Sequence, residues 1–372
     1  MISTDRKILD AESAVAGRMR EYAETFGELH IVVFSRKSKV ESSKTELSDF
    51  KTSDFKLKLS DNCFVYPTRS RSKISSVFDA VRIGSSVIRN SSLEIGDGVV
   101  TTQDPFETGI VGLVLAKKFS LRLNVQIHTD FHSPYFVRDS LLNRIRRIIA
   151  GYVLPRVTSV RVVSERIKSS LPRLSNVSVV PIYSEVTNVS TVVTDRFPQF
   201  DKVVLMVSRL ESEKDIASAL KAFAIAEKSV KGIGLVIAGS GSMEAELVHL
   251  SHVLGVGEKV VFLGWRDEVE LSMIRASSDV FLSTSLYEGY GLSLIESARA
   301  GLPIVSTDAG IAPDILSKDV LAEPGDTDAI ARLLTEALQR PERFVASRDA
   351  IARVTYLSKA EYLESLKKSL LV

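Results

Sequence analysis

The sequence predicts an α/β protein made of two doubly wound domains. Short β-branched runs alternate with longer amphipathic stretches, the pattern of parallel sheets covered by helices. The alternation breaks at a polar stretch, residues 184–200, and then starts again. The length, 372 residues, exceeds what one ordinary core supports.

The first half opens with a very short strand at residues 1–3 and a helix over 10–26 whose stripe includes Ala16, Met19, Ala23 and Phe26. A buried strand follows at 29–34, then a polar, Ser- and Lys-rich excursion over 36–60, and a short strand at 63–66. A helix at 76–90, a strand at 98–102, a helix at 108–119 and a strand at 124–128 continue the alternation. A basic amphipathic helix is expected over 136–154 and a closing strand over 177–182. Residues 1–183 thus form one domain, residues 184–358 a second, and a last helix over 359–372 rejoins the first.

The second half repeats the unit. Strands are expected at 202–208, 234–238 and 260–263, with helices at 216–229, 243–254 and 268–276. The stretch from Val280 to Val305 then organises the domain. A strand ends at Ser285, Gly289 and Gly291 supply a tight turn, a helix runs from Leu292 to Arg299, and Gly301-Leu-Pro303 stops it before a new strand. Such a turn aims free backbone N–H groups and the positive end of a helix at one point, which suits a diphosphate. Glu288 and Glu296 frame it, and an ionised carboxylate accepts two hydrogen bonds from neighbouring sugar hydroxyls. Phosphate-binding amides between two such carboxylates fit a nucleotide-sugar.

Glu288-Gly-Tyr-Gly-Leu-Ser-Leu-Ile-Glu296 resembles the E-x7-E motif of retaining glycosyltransferases of family 4, which have the GT-B fold. The family usually carries Phe at the position of Tyr290 and often Pro at that of Ser293. The resemblance is strong over about residues 203–330 and weaker before them. It implies two Rossmann-like domains facing across a cleft, the second holding a UDP- or GDP-sugar and the first an acceptor. It implies that Glu288 binds the donor sugar hydroxyls, that Glu296 binds the ribose, and that the N–H groups following Gly289, those of Tyr290, Gly291 and Leu292, bind phosphate.

Arg209 and Lys214 follow a strand and match the family's diphosphate-binding cations; the competing reading pairs them with Glu211 and Glu213 as surface residues. Gly239 and Ser240, in a G-x-G turn too short for a hydride-cofactor fingerprint, are candidates beside the diphosphate or a plain strand-to-helix turn. Arg266 lies either beside the base or in a surface loop. His128 ends a strand, where it can donate to a sugar hydroxyl or orient an acceptor; otherwise it is a hydrogen-bonded structural histidine. His128, Asp130 and His132 lack a metal-site signature, Asp326-Thr-Asp328 reads as a helix cap, and Asp104 either reaches the cleft or caps the helix at Glu107, the cap being preferred, so no metal and no cofactor beyond the donor substrate are expected.

Residues 1–183 hold 28 Lys and Arg against 19 Asp and Glu, a balance of +9; the remainder holds 20 against 27, or −7. A basic first half suits an anionic partner surface, and the absence of aromatic-interleaved basic clusters argues against nucleic acid. The helix at 136–154 therefore reads either as a membrane-surface helix, near a lipid-linked or cell-surface glycan precursor, or as a domain helix with a core face and solvated arginines. The single Cys63 fits a reducing compartment, and the first residues lack a signal-peptide core, which predicts a cytoplasmic protein, peripheral at the inner face of the membrane. The Asn-x-Ser triplets at Asn90, Asn176 and Asn188 are then chance matches. A nucleotide-sugar epimerase and a non-catalytic nucleotide-sugar binder are the rival functions.

Overall fold

The structure is a computed structural model that describes residues 1–36, 56–91, 98–172, 174–184, 196–356 and 358–371. Most of the polar excursion, most of the linker stretch and the triplet at Asn188 lie outside these residues. The chain groups into two units, one of residues 1–128, 141–180 and 360–372, the other of residues 129–140 and 181–359.

The first unit begins with β1 (Ile2–Ser3), α1 (Ala14–Phe26), β2 (Leu29–Val33), β3 (Leu57–Ser60) and β4 (Cys63–Pro67). Then come α2 (Lys73–Asn90), β5 (Val99–Thr102), α3 (Glu107–Phe119) and β6 (Arg122–Ile127). The helix expected over 136–154 is broken at Ser140: α4 (Pro134–Asp139) groups with the second unit and α5 (Leu141–Val153) with the first. β7 (Ser159–Val162), α6 (Glu165–Ser170) and β8 (Val177–Val179) finish this stretch. The strand order is β3-β4-β2-β1-β5-β6-β7-β8, and only β3 is antiparallel to its neighbour. β3 lies within the stretch read as a polar excursion, and β7 was not foreseen. Ser13 caps α1 by accepting from the Ala16 N–H, which starts that helix at Ala14 rather than at the expected residue 10.

The second unit runs β9 (Lys202–Val207), α7 (Ile216–Ser229), β10 (Ile233–Ala238), α8 (Glu244–Val253), β11 (Val260–Gly264) and α9 (Glu268–Ala276). It continues through β12 (Val280–Ser283), α10 (Leu292–Arg299), β13 (Ile304–Thr307), α11 (Ala312–Ile315), β14 (Leu321–Ala322), α12 (Thr327–Gln339) and α13 (Arg348–Val354). Its sheet is parallel throughout, in the order β11-β10-β9-β12-β13-β14. β10 is buried at every residue, and Phe223 and Phe281 are among the largest side chains wholly shielded from water. The strand order reverses between β9 and β12, and at such a switch point the loops leaving the two strands diverge and open a crevice. The last helix, α14 (Lys359–Leu371), returns to the first unit, where Asn124 donates to the Ser369 carbonyl over 2.9 Å.

Candidate donor-binding site

The two loops at the switch point carry the charged residues. Residues 208–215 leave β9 through a single 3-10 turn, Ser212–Lys214, and residues 284–291 leave β12. The Leu286 N–H donates to the Glu213 carbonyl at 2.8 Å, and the Thr284 hydroxyl reaches the Lys214 carbonyl at 2.9 Å. These bonds set Lys214 beside Glu288, and the Lys214 ammonium donates to the Glu288 carboxylate. The Ser285 hydroxyl donates to the same oxygen at 3.2 Å. Arg209 sits on the same loop, is largely exposed, and pairs with Glu213.

The glycine turn is pinned from below. Tyr290 is buried, its hydroxyl donates to the Val354 carbonyl at 2.6 Å, and its carbonyl accepts from the Ile311 N–H at 2.9 Å. Gly291 has φ +101° and precedes α10, whose first intrahelical bond runs from the Ile295 N–H to the Gly291 carbonyl. Among the described residues nothing accepts from the N–H groups of Tyr290, Gly291 and Leu292. Gly289 and Tyr290 are buried, whereas Gly291, Leu292 and Ser293 are partly exposed. The accessible part of the expected cradle is therefore narrower than Gly289–Leu292 and extends to Ser293, whose N–H lies in the first helical turn.

Glu296 projects from α10 and is largely buried. It accepts from the Ser184 hydroxyl at 2.8 Å and from the Arg275 guanidinium. Burial raises its pKa above the usual carboxylate value, and the charge of Arg275 opposes that rise. Arg275 is only 4% exposed; it also donates to Glu268 at 2.7 Å, and its Nε has no partner among the described residues. Sequence reasoning missed both Arg275 and Ser184. Arg275 lies on α9 with nothing in its neighbours to mark it, and only the fold brings it to Glu296.

Gly239 and Ser240 serve the site indirectly. Gly239 has φ +144°, and a Cβ there would lie 1.8 Å from the Ser208 carbonyl oxygen. Its N–H is already taken by the Gly264 carbonyl at 2.8 Å, so it is not available to a phosphate. The Ser240 carbonyl accepts from the Leu210 N–H at 3.0 Å. The G-x-G turn therefore presses backbone to backbone against the loop that carries Arg209. Arg266 donates to the Trp265 carbonyl at 2.8 Å and pairs loosely with Glu270 at 3.6 Å, on an exposed loop.

Residues 194–353 match the model for glycosyl transferases group 1. That span covers every residue of the site described above except Ser184 and Val354. An uncharacterized glycosyltransferase of Methanocaldococcus jannaschii is 36% identical over 135 residues, 35% of this chain and 34% of that one. The alpha-monoglucosyldiacylglycerol synthase of Streptococcus pneumoniae is 24% identical over 226 residues, 56% of this chain and 51% of that one. The chain thus matches about a third to a half of the length of these curated relatives. Among solved structures, sucrose-phosphate synthase from Thermosynechococcus elongatus has a TM-score of 0.75 at 19% identity, covering 96% of this chain and 92% of its own. HepE of Anabaena, solved with UDP and glucose, has a TM-score of 0.71 at 15% identity, covering 100% and 98%. The fold is that of the GT-B glycosyltransferases, with two Rossmann-like units.

The segment Thr129–Ser140 packs on the second unit although it precedes the matched span. Asp139 accepts from the Ser212 hydroxyl at 2.7 Å, and the Phe136 ring meets Tyr287 edge to face at 5.7 Å. Tyr135 donates to the Pro324 carbonyl at 2.8 Å. Asp130 and His132 travel with this segment while His128 stays in the first unit, and among the described residues no group of three or more His, Cys, Asp or Glu gathers to hold a metal. Asp326 caps α12 through the Ala329 N–H at 2.9 Å, and Asp104 accepts from the Phe106 N–H at 2.8 Å just before α3.

In the first unit, the His128 Nε2 lies 3.3 Å from the Gln126 Oε1. That oxygen also accepts from Arg161 at 2.7 Å, which fixes it as the amide oxygen. Nε2 therefore carries the proton, and the other ring nitrogen is an acceptor. Burial first, then the charge of Arg161, push the His128 pKa down to about 3, so the ring is neutral near pH 7. It offers a lone pair at Nδ1, whereas donation to a sugar hydroxyl was only one of the roles expected from the sequence. No helix among the described residues is long and apolar enough to cross a membrane.

Proposed function

We propose that the chain is a retaining glycosyltransferase of family 4 that moves a sugar from a UDP- or GDP-sugar to a hydroxyl acceptor. The observation that carries this reading is the pair of open, partly exposed N–H groups at Gly291 and Leu292 with Glu288 on one flank and Glu296 on the other. The match of residues 194–353 to glycosyl transferases group 1 supports it. Glu288 takes the donor sugar hydroxyls and Glu296 the ribose. Lys214, Arg209 and the amino end of α10 bear the negative charge of the leaving diphosphate, each worth most where water is excluded. With that charge already countered by the protein, the reading assigns no resident metal, and chelation leaves the rate unchanged. The acceptor attacks from the face the diphosphate leaves, and a phosphate oxygen takes its proton. His128 accepts a hydrogen bond through Nδ1 from a sugar or acceptor hydroxyl. The acceptor class is a lipid-linked or cell-surface glycan precursor, met in the cytoplasm at the inner membrane face. The lipid product named for the pneumococcal relative and the basic first half support that class.

A thermal-shift panel of UDP- and GDP-sugars identifies the donor, because a ligand that binds only the folded state raises apparent stability. Nucleotide release is then followed with and without acceptor. Release that depends on acceptor supports transfer. Rearranged or free sugar formed without acceptor identifies an epimerase, and binding without turnover identifies a carrier.

A further inference from the structure

The helix α5 is built inside out. Its buried residues are Asn143, Ala150 and Val153, while Leu141, Ile145, Ile148 and Tyr152 are 72%, 54%, 74% and 57% exposed. Spacings of four, three and four residues place those four side chains in one stripe on the outer face, about 16 Å long at 1.5 Å per residue. A helix that merely closed a domain would turn this stripe inward. The neighbouring helices also expose apolar side chains. α3 packs against both α5 and α2, and it exposes Val114, while α2 exposes Ile74 and Phe78 one turn apart. Together these three helices carry eight Lys and Arg against two carboxylates, Asp79 and Glu107. Glu107 is already engaged by Arg146 through two bonds of 3.1 Å, and Arg147 is exposed beside the stripe.

We infer that the α2–α3–α5 face docks on an anionic lipid bilayer, with the Leu141–Tyr152 stripe entering the headgroup boundary and the surrounding cations meeting lipid phosphates. An exposed apolar stripe flanked by charge of one sign marks an interaction site. The excess of positive charge selects an anionic sheet over a second copy of the same basic face, which would repel it. This inference rests on the surface of the first unit. It deepens the sugar-transfer reading by locating where a lipid-linked acceptor would be met, and either can fail without the other.

The test is flotation of the whole protein with vesicles of phosphatidylcholine alone and of phosphatidylcholine mixed with phosphatidylglycerol. The wild type partitions to the mixed vesicles and much less to the neutral ones. The double substitution Ile145→Ser with Ile148→Ser lowers partitioning about tenfold or more, and Arg147→Ser lowers it about fivefold in a salt-dependent way. Donor-induced thermal shifts of these variants match the wild type, which shows that they fold and separates this test from that of the donor site. Absence of wild-type binding, binding unchanged in the isoleucine variant, or a dimer that this variant converts to monomer overturns the inference.

Discussion

Lys214 and Glu288, 74 residues apart, share an ion pair at the switch point of the second sheet. The cation suited to a diphosphate thus rests on the carboxylate suited to a sugar. Under the proposed function, donor binding redistributes those contacts, since the ammonium has three donors and the carboxylate two acceptor oxygens. Lys214→Met is expected to lower kcat/KM by about 10²–10³-fold, the usual cost of removing one preorganised charge stabiliser. Glu288→Gln depresses turnover comparably while keeping the melting temperature close to the wild type. Nucleotide release from the donor found by thermal shift measures both, and full activity in either variant contradicts the assignment.

Arg275 holds Glu296 and Glu268 from a nearly water-free position. Arg275→Met leaves Glu296 buried without its cation, and breaking such a pair costs about 3–5 kcal/mol. The expected result is a lower denaturant midpoint together with a higher KM for donor. Adding Glu296→Gln recovers stability but not donor binding. Recovery of both would show that Glu296 has only a structural role.

Two glycines separate space from flexibility. Gly239→Ala forces a methyl group onto the Ser208 carbonyl at a positive φ, and destabilisation by about 2–4 kcal/mol is expected in thermal unfolding. Gly17→Ala, inside α1 with nothing within 4 Å, stabilises by about 0.5–1 kcal/mol.

His128 gives the pH dependence a definite sign. A histidine whose folded pKa is depressed favours the folded state above its unfolded value of 6.5, and that stability is lost as pH falls from there toward about 3. Lowering pH from 7 to 5 is expected to cost the wild type about 1–2 kcal/mol more than His128→Gln, read from urea midpoints at the two pH values. Equal losses would place the titration elsewhere.

The α/β alternation was legible in the sequence because each element obeys its own period, and α9 falls where its pattern places it. The edge strand β3 was missed because Leu57-Lys-Leu-Ser60 alternates apolar with polar inside a charged stretch and gains its order only from pairing with β4. The turn at Gly289 and Gly291 was legible because positive φ is a local demand. Arg275 was not legible, because its meaning comes from contacts 7 and 21 residues away in sequence. The amphipathic pattern of α5 was visible, but a pattern has no sense of direction. Whether its isoleucines face core or solvent is decided by which of its sides meets α3.

Ser212, Tyr287 and Pro324 lean on Asp139, Phe136 and Tyr135, residues encoded well upstream of the unit they complete. A fragment cut from the gene at residue 184 would begin without those supports, and its loop over Lys214 would lack its brace. Anyone wishing to express the second unit alone must splice residues 129–140 back onto it, since the boundary drawn by folding is not one that a single restriction site can follow.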